Sequence, residues 1–309
     1  MNTRPEPLAL YVQASASMGL GHLTRSLAVS RALTAMGFEV RFMLAADSYG
    51  REKAEAMGIR SETLSTFTSV IIDAASIPEE DARFLRQFRH RILISPVCDR
   101  ADLATQVLVR AVSEKLRSSL DQNARVTEDP SFALTTTKRL EPRKLTFERI
   151  RLGICLSGGR DALNMGEFVD RMVRIPSVST IHVLHHEALE VSPEWSTEIH
   201  QARYHEDPWS YFSDINVFIG GDGLLISEAI AQGIPTLSLT TEDHYFKNQH
   251  LNDSGHLKCF FREALDYWSL QQLLANRHSL EEMHRTAREH PLPDGARLLA
   301  QSIAHGITD

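Results

Sequence analysis

Residues 8–44 constrain the fold more than any other part of the chain. Leu8-Ala-Leu-Tyr-Val12 is an apolar run of strand length, and residues 14–21 are small and glycine-bearing, as a loop requires. From His22 to Met36 the apolar positions Leu23, Leu27, Val29, Ala32, Leu33 and Met36 recur near helical spacing. Gly37 supplies a stop signal, and Phe38–Leu44 reads as a second strand. Strand, glycine loop, helix, strand is a βαβ unit, which requires parallel pairing and helices packed over the sheet.

The alternation continues. Ser69–Asp73, Arg91–Ser95 and Thr105–Val112 read as strands, with a helix over Pro78–Phe88. The stretch 121–148 lacks a long apolar period and contains Pro130 and Pro142, which places an interdomain connection near residues 139–149. A second series follows: strands at Ile150–Leu156, Thr180–Leu184, Ile215–Ile219 and Pro235–Leu239, with helices ending at Val173 and spanning Leu224–Ala231. Further helices are expected around 270–289 and 295–305. A chain of 309 residues exceeds what one core usually holds. The expectation is an α/β protein of two Rossmann-like domains, residues 1–142 and 143–309, with a cleft between them.

Composition narrows the class. With 42% hydrophobic and 24% charged residues the chain can fold on its own, so disorder is excluded as its main state. The formal net charge of −7 opposes a protein devoted to nucleic acid, because phosphate neutralisation needs surplus Lys and Arg. Cys98, Cys155 and Cys259 are scattered and odd in number, as in a reduced compartment. The apolar run after the short polar start is too short for a signal peptide, and no later run reaches transmembrane length. The expectation is a cytoplasmic protein; nothing in the sequence speaks to its oligomeric state.

Three strand-to-helix turns, at residues 15–22, 157–161 and 220–223, are rich in small residues. In parallel sheets such turns lie at the carboxyl ends of strands, where helix N–H groups receive anions. Gly19-Leu-Gly21 opens like a dinucleotide fingerprint, with Asp47 near the end of the next strand, but Thr24 stands at the third glycine position. His22 fills the space a pyrophosphate would use. No nicotinamide, flavin or other cofactor is therefore expected. At a helix start the dipole disfavours imidazolium, so His22 should be neutral and able to take a proton; the structural alternative is a histidine packed at the helix end.

The residues 14–25, Ala-Ser-Ala-Ser-Met-Gly-Leu-Gly-His-Leu-Thr-Arg, resemble the start of the UDP-sugar hydrolase of pseudaminic acid biosynthesis and its spore-coat polysaccharide relatives, within the wider GT-B group. Ser157-Gly-Gly-Arg-Asp161 is similar to that group's loop opening the second domain, Gly220–Pro235 to its nucleotide-binding stretch, and Lys247-Asn-Gln249 to the Asn-Gln that follows. The resemblance implies that Gly158, Gly159, Asp161, Gly220, Gly221, Gly223, Leu224, Asn248 and Gln249 hold uridine diphosphate, with Glu228 taking the ribose hydroxyls. It also implies that His22 activates the attacking group, without a metal, and that Ser17, Gly19, Gly21 and Arg25 face the sugar. The chain departs from the family pattern at Val12-Gln13-Ala14-Ser15, where an Arg and an Asp are usual, and at Ala74-Ala75-Ser76, after Asp73.

His182, His185 and His186 on a strand cannot all point one way, which disfavours a metal site. His244, Lys247 and His250 could contact phosphates or water. No serine sits in a nucleophile elbow. The expected function is hydrolysis of a UDP-linked sugar; the alternatives are an inverting glycosyltransferase using a UDP-sugar and a nucleotide-sugar-binding protein without turnover.

Overall fold

The computed structural model describes residues 6–62, 67–133, 144–156, 163–185, 189, 197–202 and 208–308. The chain divides into two compact units, residues 1–136 with 293–309, and residues 137–292.

The first unit runs β1 (Leu8–Ala14), α1 (Gly21–Ala35), β2 (Val40–Ala46), α2 (Ser48–Ala56), β3 (Ser69–Asp73), α3 (Glu79–Leu85), β4 (His90–Leu93), β5 (Gln106–Val109), α4 (Glu114–Ser119) and β6 (Arg125–Glu128). Its six strands lie in the order β2-β1-β3-β4-β5-β6, every neighbouring pair parallel. β1 is sealed on both faces, with Leu8, Ala9, Leu10 and Val12 fully buried, as a central strand between helix layers must be. α1 buries Leu23, Ser26, Val29, Ser30 and Leu33, the stripe that helical spacing places on one face.

The second unit runs β7 (Ile150–Cys155), α5 (Met165–Val173), β8 (Val178–Leu184), β9 (Glu198–Ala202), α6 (Pro208–Asp214), β10 (Val217–Gly220), α7 (Leu224–Ala231), β11 (Thr236–Thr240), α8 (Gln249–Asp253), β12 (Leu257–Phe261), α9 (Tyr267–Ala275) and α10 (Arg277–Glu289). Its sheet order, β12-β11-β10-β7-β8-β9, is also parallel throughout. Counted within the unit this is the 3-2-1-4-5-6 order of a doubly wound sheet. Ile150, Leu152, Ile154, Phe168, Val169 and Ile181 form the centre of its core.

The last helix, α11 (Gly295–Thr308), packs against α1 of the first unit. Residues 293–309, expected in the second domain, therefore belong with the first. The physical reason is an apolar face: Ala296, Leu299, Ala300 and Ile303 are buried there. Gly295 approaches Ala133 so closely that a Cβ would lie 2.3 Å from its carbonyl oxygen. The expected boundary at 142/143 lies outside the described residues. β6, within the stretch without a long apolar period, and β9 are edge strands; all four residues of β6 are exposed and show no apolar alternation. Among the described residues no helix is long and apolar enough to cross a membrane.

Candidate active site

β1 and β3 are neighbours, while β2 lies on the other side of β1. Their connections leave in opposite directions, so the carboxyl ends of β1 and β3 flank a topological switch point, where open α/β sheets bind ligands. The loop after β1 turns back on itself: Gly19 N–H donates to Ser15 O at 2.9 Å, with Gly19 at φ 75°, a conformation that favours glycine. Ala16 N–H donates to Asp47 Oδ2 at 3.0 Å, and the Ser15 and Ser17 hydroxyls lie 3.1 Å apart. At Gly21 a side chain would meet nothing within 4 Å. The loop delivers His22 as the second residue of α1.

His22 meets Asp73, the last residue of β3: its Nδ1 lies 2.6 Å from Oδ1 and 3.0 Å from Arg25 Nη2. Asp73 is fully buried and saturated with donors. Arg25 Nε donates to Oδ2 at 2.9 Å, Arg25 Nη2 reaches Oδ1, and Ser26 Oγ donates to Oδ2 at 2.9 Å. Burial alone would raise the carboxyl's pKa, but the Arg25 charge, then His22 and the hydrogen bonds of both, hold it well below the usual carboxylate range. An ionised Asp73 orients the imidazole and fixes the proton on Nδ1, which leaves Nε2 as the basic ring nitrogen. His22 and Arg25 come from one turn of α1, but Asp73 is 51 residues from His22, and no local pattern foretold the pair. Its only sequence trace is an acid closing an apolar strand. Arg25, expected on the substrate, has its guanidinium against Asp73.

The two places where the chain departs from the family pattern touch each other. Gln13 Oε1 accepts the N–H groups of Ala75 and Ser76, both at 3.0 Å, and Gln13 Nε2 donates to Ser76 Oγ at 3.3 Å. A neutral amide bridge thus ties the loop after β3 to the end of β1.

In the second unit the switch point lies between β7 and β10. Gly158, Gly159 and Asp161, which follow β7 in the sequence, lie outside the described residues. The turn after β10 is described. Gly220 and Gly221 are buried, and a Cβ on Gly221 would lie 1.8 Å from Leu156 O, so only glycine fits. Gly223 is the exposed N-cap of α7, with open space where a side chain would stand. Leu224 begins the helix and is half-buried; Glu228 is 1% exposed, on the packed face. Arg262, which the sequence reading passed over, donates Nε to Leu239 O at 2.6 Å and Nη2 to Leu156 O at 3.1 Å, tying strand ends behind the turn.

Asn248 is buried and Gln249 exposed. Asn248 Nδ2 donates to Ser238 Oγ at 3.1 Å and lies 3.5 Å from Asp222 Oδ1. His244 Nδ1 lies 3.4 Å from Asp222 Oδ2. On β8 and β9 the His182 and His200 rings stack, with centroids 4.7 Å apart; His186 lies outside the described residues. Among the described residues no three His, Cys, Asp or Glu side chains are grouped to hold a metal ion.

No protein-family model matches the chain, and no curated protein matches its sequence. Solved structures do. The chain is similar to MurG from Acinetobacter baumannii at 16% identity and a TM-score of 0.63, over 97% of this chain and 100% of that one. It is similar to the UDP-GlcNAc 2-epimerase from Neisseria meningitidis bound to UDP-GlcNAc, at 12% identity and a TM-score of 0.62, over 96% and 100%. The calicheamicin glycosyltransferase CalG4 follows at 12% identity and a TM-score of 0.60, over 98% of each chain. These likenesses show the fold: a two-unit α/β protein of GT-B type.

Proposed function

We propose that the chain is an enzyme that transfers a sugar from a UDP-linked donor to a hydroxyl acceptor, with His22 as the general base. The observation that carries this reading is the His22–Asp73 pair at the β1/β3 switch point, with Nε2 as the ring atom that takes a proton. In this reaction the acceptor oxygen attacks the anomeric carbon and its proton passes to His22 Nε2. The bond from that carbon to the diphosphate oxygen breaks, and UDP leaves with the electron pair. Asp73 stays ionised and stabilises the imidazolium as it forms.

The nucleotide belongs, on this reading, to the second unit. The first turn of α7 contains no acid and its N-cap contributes no side-chain bond, so its N–H groups suit a diphosphate. Gly221 and Gly223 let a phosphate approach the backbone. One neighbour of the same fold holds UDP-GlcNAc and another is a glycosyltransferase, which supports a UDP-sugar donor. Glu228 would reach a ribose only by turning out of the packed face of α7.

Hydrolysis is the second reading, favoured by the resemblance of Gly19-Leu-Gly-His22 to the sugar-nucleotide hydrolase; water then replaces the acceptor. Purified protein incubated with a panel of UDP-sugars, with and without hydroxyl acceptors, separates the two. UDP release that needs an acceptor supports transfer. Equal release without one supports hydrolysis, and no release from any donor leaves neither standing.

A further inference from the structure

The turn before α7 carries its own anion. Asp222 stands one residue ahead of the N-cap Gly223, within reach of a helix end whose donors attract carboxylates. A carboxylate and a diphosphate would compete for those same N–H groups. Yet Asp222, with its side chain 9% exposed, faces the segment after β11. His244 Nδ1 lies 3.4 Å from Oδ2, and Asn248 Nδ2 lies 3.5 Å from Oδ1. Asn248 is anchored in turn by its bond to Ser238 Oγ on β11. Lys247, the residue between, is buried. Burial would raise the Asp222 pKa, but hydrogen bonds from His244 and Thr240 and the charge of Lys247 bring it below the usual range, so the group is held as an anion.

We propose that His244 and Asn248 form a latch that holds the Asp222 carboxylate off the amino end of α7, keeping that end open for a diphosphate. Released from the latch, Asp222 turns onto the α7 N–H groups and competes with the ligand as an internal cap. Asn248 and His244 are thus positioning residues that act through Asp222 rather than by touching phosphate. This rests on reading the 220–223 turn as the diphosphate site.

Isothermal titration of the full chain with UDP and with uridine tests it. Asn248→Ala and His244→Ala are each expected to weaken UDP roughly five- to thirtyfold, the effect of one charge at a partly buried helix end. Asp222→Asn should bind UDP as well as wild type or better. The deciding variants are the doubles, N248A/D222N and H244A/D222N, which should return to the affinity of D222N. Doubles as weak as the singles would mean direct phosphate contacts and overturn the latch. Uridine, lacking phosphates, should bind all variants alike; a matching loss for uridine also overturns it, because the segment has then lost its fold. Wild-type protein that binds no UDP removes the diphosphate reading and the latch together, whereas wild-type binding with unrescued doubles removes the latch alone.

Discussion

Asp73 concentrates the chemistry of the first unit on one buried carboxylate with four donor contacts from three residues. Replacing it with Asn leaves the Arg25 guanidinium beside a neutral amide and removes the acceptor that orients His22. The expected cost is about 3 kcal/mol of stability, the usual size for breaking a buried pair, read by urea denaturation. The pH dependence has a definite sign. The folded pKa of Asp73 is depressed, so its stabilisation is complete above the unfolded value near 3.9 and is lost as pH falls below it. The gap in stability between wild type and Asp73→Asn should therefore narrow as pH falls below about 4. His22→Ala tests the other partner. Turnover should fall about 10²- to 10⁴-fold while UDP affinity holds, since the base and the nucleotide turn belong to different units. Retained turnover in that variant would take His22 out of the reaction.

At the scale of elements, the two strand-to-helix turns show why glycines of the same motif are not equivalent. Gly221 presses on the Leu156 carbonyl, where backbone cannot give way, while Gly223 faces open space at a φ of −84°. Gly221→Ala should therefore destabilise the protein by about 2 kcal/mol or more, and Gly223→Ala should change stability by less than about 0.5 kcal/mol. Thermal melts of the two variants provide the comparison, and equal effects would contradict the close approach at Gly221. The central elements were legible in the sequence because burial on both faces imposes an apolar code: Leu8–Val12 is a continuous apolar run, Val70–Ile72 forms the middle of β3, β7 is broken only by the exposed Arg151, and α1 repeats its stripe. The edges were not. β6 is exposed at every position and β9 at most, so pairing with one neighbour leaves no alternation to read. The helical stretch 270–289 was visible, but the break at Asn276 between α9 and α10, where the Asn276 side chain accepts from the Ser279 N–H, was not.

Across the whole molecule, sequence order and spatial order part company in ways that local patterns do not encode. The His22–Asp73 pair exists because β3 crosses to the far side of β1 from β2, and the latch at Asp222 exists because β11 returns beside β10. The same holds for α11, which follows the second unit in sequence and completes the first in space. Its inward face carries Leu299 and Ile303, both essentially without exposure. Truncating Ile303 to Ala removes buried methylenes from α11, which packs on α1, the helix whose first turn supplies His22 and Arg25. The expected loss is about 2–5 kcal/mol. If α11 is an integral part of the first unit, hydrogen exchange followed by mass spectrometry should show the loss of protection in peptides from residues 8–133. Peptides from 144–292 should keep wild-type protection in the same sample. Loss of protection confined to the second unit, or shared equally by both, would return the last helix to the domain that its place in the sequence suggests.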